Sequence, residues 1–380
     1  MNLDQTLVRL PTAMRKNKTN SSHHGGSQKL ATIFLTNQCN LSCPYCYAIE
    51  NTFLPEDIWD ASIIQPLLDI LASKGYRISI GGGEPLTELA LTLTIAREAS
   101  RRRMGVSLLT NGYLLDEALL RQIRDAGIYW IQISADSIKE VEHFAPLLSK
   151  GTALGMRMAI GTVLMPDRVQ EIKEMHQIIE ASNAVGWRIL RYTPLNNNST
   201  VARAPTNTEW IKMLFTLEEY LRPLESSIQI RYEPSVVPLT WLNTQPDEKK
   251  LDICGGHKAR RLFLYPNGEI FACGLPKRKG IYLGNFKSGR GEFKNLLNDA
   301  PKKNCWFPNF DIEKKAYCRE LCRGGCLQMR QDQVCDPRCE LDKGLVPVCC
   351  FEKLLFTPGT HARGEVIYPS VLFQNISGVN

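Results

Sequence analysis

The chain has 380 residues, 43% hydrophobic and 22% charged, with a net charge of +7 at neutral pH: room for one large domain plus a smaller one, in the composition of a soluble globular protein. The charge is too diffuse to signal a nucleic-acid partner, and no stretch approaches the ~20 continuous apolar residues that a membrane helix needs. Residues 1–30 lack the apolar core of a secretory signal, so a cytoplasmic location is expected.

In chain order, residues 1–30 are polar and aperiodic, with NKTNSSHHGGS reading as a flexible segment. ATIFL (31–35) is a short β-branched and aromatic run that predicts a first strand, and a cysteine-bearing loop follows it. Apolar residues then recur at helical spacing over 55–75, with Pro55 suited to a first turn and Gly75 to a stop. RISI (77–80) predicts a second strand that runs into GGGEP. Helices follow at about 86–103, 116–126, 138–149 and 168–183, and strands at about 105–109, 128–134, 157–164 and 187–192. The basic run REASRRRM (97–104) falls at a helix end, where cations suit the dipole. Six strand–helix repeats predict a parallel sheet covered by helices, as a barrel or a doubly wound sheet. The polar motifs sit where strands end: the cysteine loop, GGGEP, TNG, SADS and RYTP. Barrels keep their chemistry at that end of their strands. The fold class expected is therefore α/β, a partial (β/α)6 TIM-type barrel with a C-terminal cysteine-rich domain. Its divisions are a flexible segment 1–30, a core 31–195, a linker with a helix 196–250, the cysteine-rich domain 251–355 and a tail 356–380.

Thirteen cysteines are many for a chain expected in a reducing compartment, which favours metal or redox chemistry over disulfides. Three stand at 39, 43 and 46, and ten crowd between Cys254 and Cys350. Three thiolates spaced C-x3-C-x2-C suit three irons of a [4Fe–4S] cube and leave the fourth iron open. The alternative is a structural zinc site completed by a distant ligand, although closed zinc sites more often use C-x2-C pairs. The histidines, His23, His24, His143, His176, His257 and His361, form no recognisable metal or acid–base pattern.

Cys39, Cys43 and Cys46 after a first strand resemble the cluster ligands of the radical S-adenosylmethionine (SAM) enzymes. The resemblance implies that SAM chelates the open iron, and that electron transfer from the cluster splits it to a 5′-deoxyadenosyl radical that takes hydrogen from a substrate. Gly82, Gly83 and Glu84 look like the family's glycine-rich motif, with glycines admitting the methionine ammonium and Glu84 supporting the loop; the alternative is a plain tight turn. Tyr45 is similar to the aromatic residue beside the adenine. The family also implies cofactor contacts at Thr110, Asn111, Ser134, Asp136, Val163 and Arg191, the last by pairing with the SAM carboxylate. Their alternatives are hydrogen bonding at the barrel mouth or core packing. No catalytic side chain is singled out.

The later cysteines resemble the SPASM domain, an extension that holds one or two auxiliary [4Fe–4S] clusters. That resemblance assigns Cys254, Cys273 and Cys326 to one cluster and Cys305, Cys318, Cys322 and Cys339 to another. The family's C-x2-C-x5-C-x3-C core is not reproduced, and Cys335, Cys349 and Cys350 are surplus. A zinc ribbon built from the same cysteines is the alternative, and a surplus thiol could donate hydrogen in an epimerase. Enzymes combining these parts commonly modify ribosomally made peptides by cross-linking, epimerisation or related chemistry. The expected partners are a peptide substrate, with a separate leader-binding protein since residues 1–30 are too short for a leader-binding domain, and a reductant such as flavodoxin or ferredoxin. The runner-up is a radical SAM enzyme acting on a small molecule such as a sugar, aminoglycoside or tetrapyrrole. A sulfatase-maturing activity matches the cysteine spacing less well, and a zinc-stabilised binding module is the alternative outside enzymes.

Overall fold

A computed structural model describes residues 29–46, 57, 59–192, 204–224, 226–238, 240–241, 260–272, 282–287, 289–299, 339–340, 345–347, 354–355, 367–374 and 376. Strands β1 (Leu30–Phe34), β2 (Arg77–Gly81), β3 (Val106–Thr110), β4 (Ile128–Ser134), β5 (Arg157–Leu164) and β6 (Gly186–Arg191) pair in parallel, each with the next. Between them run α1 (Ala61–Ser73), α2 (Leu89–Arg101), α3 (Glu117–Asp125), α4 (Ile138–Ala153) and α5 (Ile172–Ala181). The fold is therefore α/β with a mostly parallel sheet, as the alternation of elements requires.

That sheet extends beyond the six repeats. Helix α6 (Asn207–Leu221) leads to β7 (Gln229–Tyr232), which pairs in parallel with β6. Asn207–Leu221 and Gln229–Tyr232 thus continue the strand–helix pattern of the first six repeats. The Pro- and Asn-rich stretch before α6 hides this in the sequence. After a short strand β8 (Val236–Pro238), strand β9 (Arg261–Leu264) adds in parallel on the free side of β1. It turns back through β10 (Glu269–Phe271) to β11 (Tyr282–Asn285), both antiparallel, and α7 (Arg290–Asp299) follows. Gly268 makes the β9–β10 turn at φ +86°, a left-handed conformation that glycine adopts without strain. Strand β12 (Leu345–Pro347) pairs with β8 in a second small sheet, and β13 (Leu354–Leu355) pairs antiparallel with β7. A short helix, α8 (Pro369–Leu372), lies against α6 through Ser370, whose N–H and hydroxyl donate to the buried Glu218. Among the described residues the large sheet is open, with β11 and β13 at its edges.

Capping side chains fix where the helices start. The Asp60 carboxylate accepts the Ile63 N–H, so α1 begins at Ala61, later than Pro55 suggests. Asp116 and Ser137 cap α3 and α4 in the same way, and Thr206 with Glu209 forms a capping box on α6. The turns Pro85–Glu88 and Pro166–Glu171 are 3-10, which delays α2 and α5 relative to the sequence pattern.

Residues alternate across each strand. Ile78 and Ile80, Val106 and Leu108, Ile131 and Ile133, and Trp187 and Ile189 belong to one buried cluster with the helices. Trp187 approaches the His176 ring of α5 at 6.5 Å, which fixes this side as the outer one. The intervening residues face the lumen. Their strand ends open on a mouth where the cysteine loop lies.

Candidate functional site

Backbone hydrogen bonds hold the start of the cysteine loop to the sheet. Leu35 N–H donates to Gly81 O at 2.9 Å, Gly83 N–H to Thr36 O at 2.7 Å and Glu84 N–H to Gln38 O at 2.8 Å. A Cβ on Gly82, at φ +142°, would lie 2.7 Å from Thr36 O, and one on Gly83 would lie 2.2 Å from Gln38 O. These glycines are required by the close approach of the cysteine loop's own backbone.

Glu84 is fully buried and binds the neighbouring strand end. Its carboxylate accepts Leu86 N–H at 3.0 Å, Thr110 Oγ1–H at 2.7 Å and Asn111 N–H at 2.7 Å. Burial pushes its pKa up, and the three donors pull against that rise. The Thr110 hydroxyl is committed to two bonds, donating to Glu84 and accepting Gly112 N–H at 3.0 Å. Asn111 instead serves the cysteines. Its Nδ2 donates to Asn40 Oδ1 at 2.8 Å and to Cys39 Sγ at 3.6 Å, and Leu41 N–H donates to the same sulfur at 3.4 Å.

Cys39 is exposed, and Cys43 and Cys46 are half-buried. Burial pushes the Cys43 thiol up, and the charges of Cys46, Cys39, Asp136 and Glu140 push it further. Among the described residues no three His, Cys, Asp or Glu side chains are gathered into a ready-made metal site. The donor set fits a [4Fe–4S] cube: three thiols on one loop, two N–H···S bonds already formed to one of them, and a mouth open to a further ligand.

Across the mouth Asp136 is the second buried carboxylate. It accepts Val163 N–H at 2.6 Å on one oxygen and Tyr45 O–H at 2.5 Å on the other. Burial raises its pKa, with the Tyr45 hydroxyl and Val163 N–H opposing. The same burial, together with Asp136, drives the Tyr45 phenol far above its ordinary value. The Tyr45 ring packs edge-on against Tyr192 at 6.4 Å. The residue before Cys46 is therefore tied to the ends of β4 and β5. Glu140 accepts Asp136 N–H at 2.7 Å, and Arg168 donates to Asp136 O at 3.0 Å, a bracing that motif reading missed. Only the capping pattern S-x-x-E at Ser137 and Glu140 hinted at it. Ser134 is exposed at the mouth on the lumen side, and Val163 is half-buried there.

Arg191 departs from its expected place. It shares a strand side with Trp187 and Ile189, so it points to the helix layer and not to the mouth. There its guanidinium donates to Asn207 Oδ1 and Ser235 Oγ, both at 2.9 Å, and to Pro205 O. It anchors the start of α6. Of the later cysteines only Cys339 lies among the described residues, half-buried beside the bridge between Glu340 and Leu345. Cys254, Cys273, Cys305, Cys318, Cys322 and Cys326 lie outside them, as do the surplus Cys335, Cys349 and Cys350.

Comparison with known proteins places the cysteine loop within a matched family region. The sequence model of the radical SAM superfamily matches residues 33–177, from β1 into α5. The chain is 24% identical over 328 residues to the AdoMet-dependent heme synthase of Methanosarcina barkeri, covering 79% of this chain and 88% of that one. It is 26% identical over 262 residues to the PqqA peptide cyclase of Granulibacter bethesdensis, covering 63% and 66%. Among solved structures, Streptococcus suis SuiB bound to the precursor peptide SuiA superposes with a TM-score of 0.65 at 14% identity, covering 82% of this chain and 76% of that one.

Proposed function

We propose that this radical SAM enzyme, whose radical SAM domain spans residues 33–177, modifies a ribosomally synthesised peptide. SAM and the [4Fe–4S] cluster of such enzymes together supply a 5′-deoxyadenosyl radical that takes a hydrogen atom from the substrate. Being an enzyme sets aside the zinc-stabilised binding module. In this reading Cys39, Cys43 and Cys46 hold the cluster, Asn111 and Leu41 N–H tune the Cys39 sulfur, and Tyr45, fixed by Asp136, offers its ring to the adenine. Ser134 and Val163 line the same mouth. Glu84 with Gly82 and Gly83 sets the loop on the sheet, a positioning role.

The observation that carries the peptide reading is the likeness to SuiB, which runs over 82% of the chain, well past residue 177. It is a likeness of fold, and function is argued from it by analogy. The later cysteines would hold one or two auxiliary clusters that accept the electron left after bond formation, and a flavodoxin or ferredoxin in a reducing cytoplasm would feed the first cluster. Among the described residues no helix is long and apolar enough to cross a membrane. The second reading, a small-molecule substrate, is favoured by the match to a heme synthase over 79% of the chain.

One incubation separates them. Reduced enzyme with SAM and a candidate precursor peptide, followed by mass spectrometry, should show a discrete change of peptide mass together with 5′-deoxyadenosine. Deoxyadenosine formed with every candidate peptide unchanged, alongside a converted tetrapyrrole or sugar, would move the assignment to the small molecule.

A further inference from the structure

Gln132 stands on the lumen side of β4. Its neighbours Ile131 and Ile133 belong to the cluster under the helices, so the residue between them turns inward. Its Cα is in register with Ala159 of β5, whereas Gly161 is in register with Ser134. The side chain nevertheless reaches Gly161: a Cβ there would lie 2.4 Å from Gln132 Nε2 and 3.0 Å from Gln132 Cδ. The carboxamide therefore leans along the strand by one step of the alternation, roughly 6–7 Å, toward the level of Ser134 at the mouth. Gly161 leaves it that room by lacking a Cβ.

A second observation concerns what the carboxamide bonds to. Gln132 Oε1 is buried and has no hydrogen-bond partner among the described residues. Its register partner on the other side, Leu109 of β3, offers only hydrocarbon. A buried acceptor left unpaired is a net cost to the fold, and a methionine would fill the same volume without that cost. An acceptor in this condition, aimed at a bare stretch of backbone beside the mouth, suits a donor from a bound molecule.

We infer that Gln132 binds the main chain of the peptide substrate at one residue, with Oε1 accepting that residue's N–H and Nε2 donating to its C=O. An extended residue presents both groups on one edge, as it does when strands pair. A carboxamide carries the acceptor and the donor to meet them. Such a contact reads backbone and not side chain, so it positions a peptide without restricting which residue is held. Ser134 is exposed at the same level, and Val163 lies one step above. The held residue therefore sits directly below the mouth, where its own hydrogens are the ones within reach of a radical formed there. The inference rests on the peptide reading for the class of ligand.

The test needs neither reductant nor the natural peptide. Glutamine labelled with 15N is incorporated into the full-length reconstituted protein, and the Gln132 carboxamide signal is assigned as the one lost in Gln132→Met. N-acetyl-L-alanine N′-methylamide should shift that signal saturably. Its ester analogue, with oxygen in place of the alanine N–H, should bind at least about tenfold more weakly. Propionamide, which imitates an Asn or Gln side chain, should also bind more weakly than the blocked alanine. In Gly161→Ala the new methyl displaces the carboxamide, and the saturable shift should be lost. Gln132→Met should melt no lower than the wild type, because it removes an unpaired buried acceptor, and should bind SAM with unchanged affinity. No saturable shift with the blocked alanine, equal binding of the ester, or tighter binding of propionamide would overturn the inference. So would a lower melting point or weaker SAM binding in Gln132→Met. None of those results decides whether the substrate is a peptide, which the mass change of the incubated peptide decides separately.

Discussion

At the mouth of the barrel the two buried carboxylates, Glu84 and Asp136, are answered from within the chain. Glu84 takes three donors and Asp136 takes two on its carboxylate oxygens. Lower in the lumen, Arg188 meets Arg261, Arg231 and Arg77. The mouth is thus pre-organised: burial raises both carboxyl pKa values, and the hydrogen bonds hold each side chain in one orientation. A mouth shaped by its own bonds suits a cofactor that is the same in every turnover.

Perturbing the mouth should break function in graded steps. Gly83→Ala is expected to have the largest effect short of losing a cysteine, because its Cβ would meet Gln38 O at 2.2 Å and displace the cysteine loop. Deoxyadenosine formation should fall on the order of 100-fold, while far-UV circular dichroism stays that of the wild type. Glu84→Ala leaves three buried donors without their acceptor. It should cost on the order of 3 kcal/mol in chemical denaturation and loosen the link between the ends of β2 and β3. Tyr45→Phe keeps the ring and removes one charge-assisted hydrogen bond to Asp136. SAM affinity, measured by equilibrium binding, should weaken roughly tenfold, with smaller damage to stability.

The smallest effect serves as a control on the outer layer. His176 is buried on α5 beside Glu180 and Ser226, with Nε2 3.1 Å and 3.0 Å from their oxygens. Burial lowers its folded-state pKa below the ordinary 6.5, with Glu180 opposing. Protons therefore bind the unfolded chain more readily, and stability should decline as pH falls through 6.5. His176→Gln should flatten that slope by about 1 kcal/mol or less, with no change in SAM cleavage. A large loss of cleavage there would tie the outer layer to the mouth and blur the contrast drawn above.

What the sequence shows of this molecule follows chain proximity. The cysteine loop and GGGEP are contiguous, and each names its own location at a strand end. Direction was the harder part. Thr110 and Arg191 sit in recognisable motifs, yet strand alternation turns one toward Glu84 and the other into the helix layer. Pro55 marks a helix start less well than Asp60, whose carboxylate caps α1. The role of β7 in the barrel is concealed by the Asn- and Pro-rich stretch before α6. The arginine set was invisible for a plainer reason. Arg77, Arg188, Arg231 and Arg261 share no window of sequence, and only the sheet's register brings them together.

The measurement that bears most directly on the central claim is reductive SAM cleavage by anaerobically reconstituted protein, comparing wild type with Cys43→Ala. The wild type should carry a reducible [4Fe–4S] cluster and release 5′-deoxyadenosine, and Cys43→Ala should release none. Deoxyadenosine from the variant at the wild-type rate, or none from wild-type protein whose cluster is intact and reduced, would contradict the assignment of this loop.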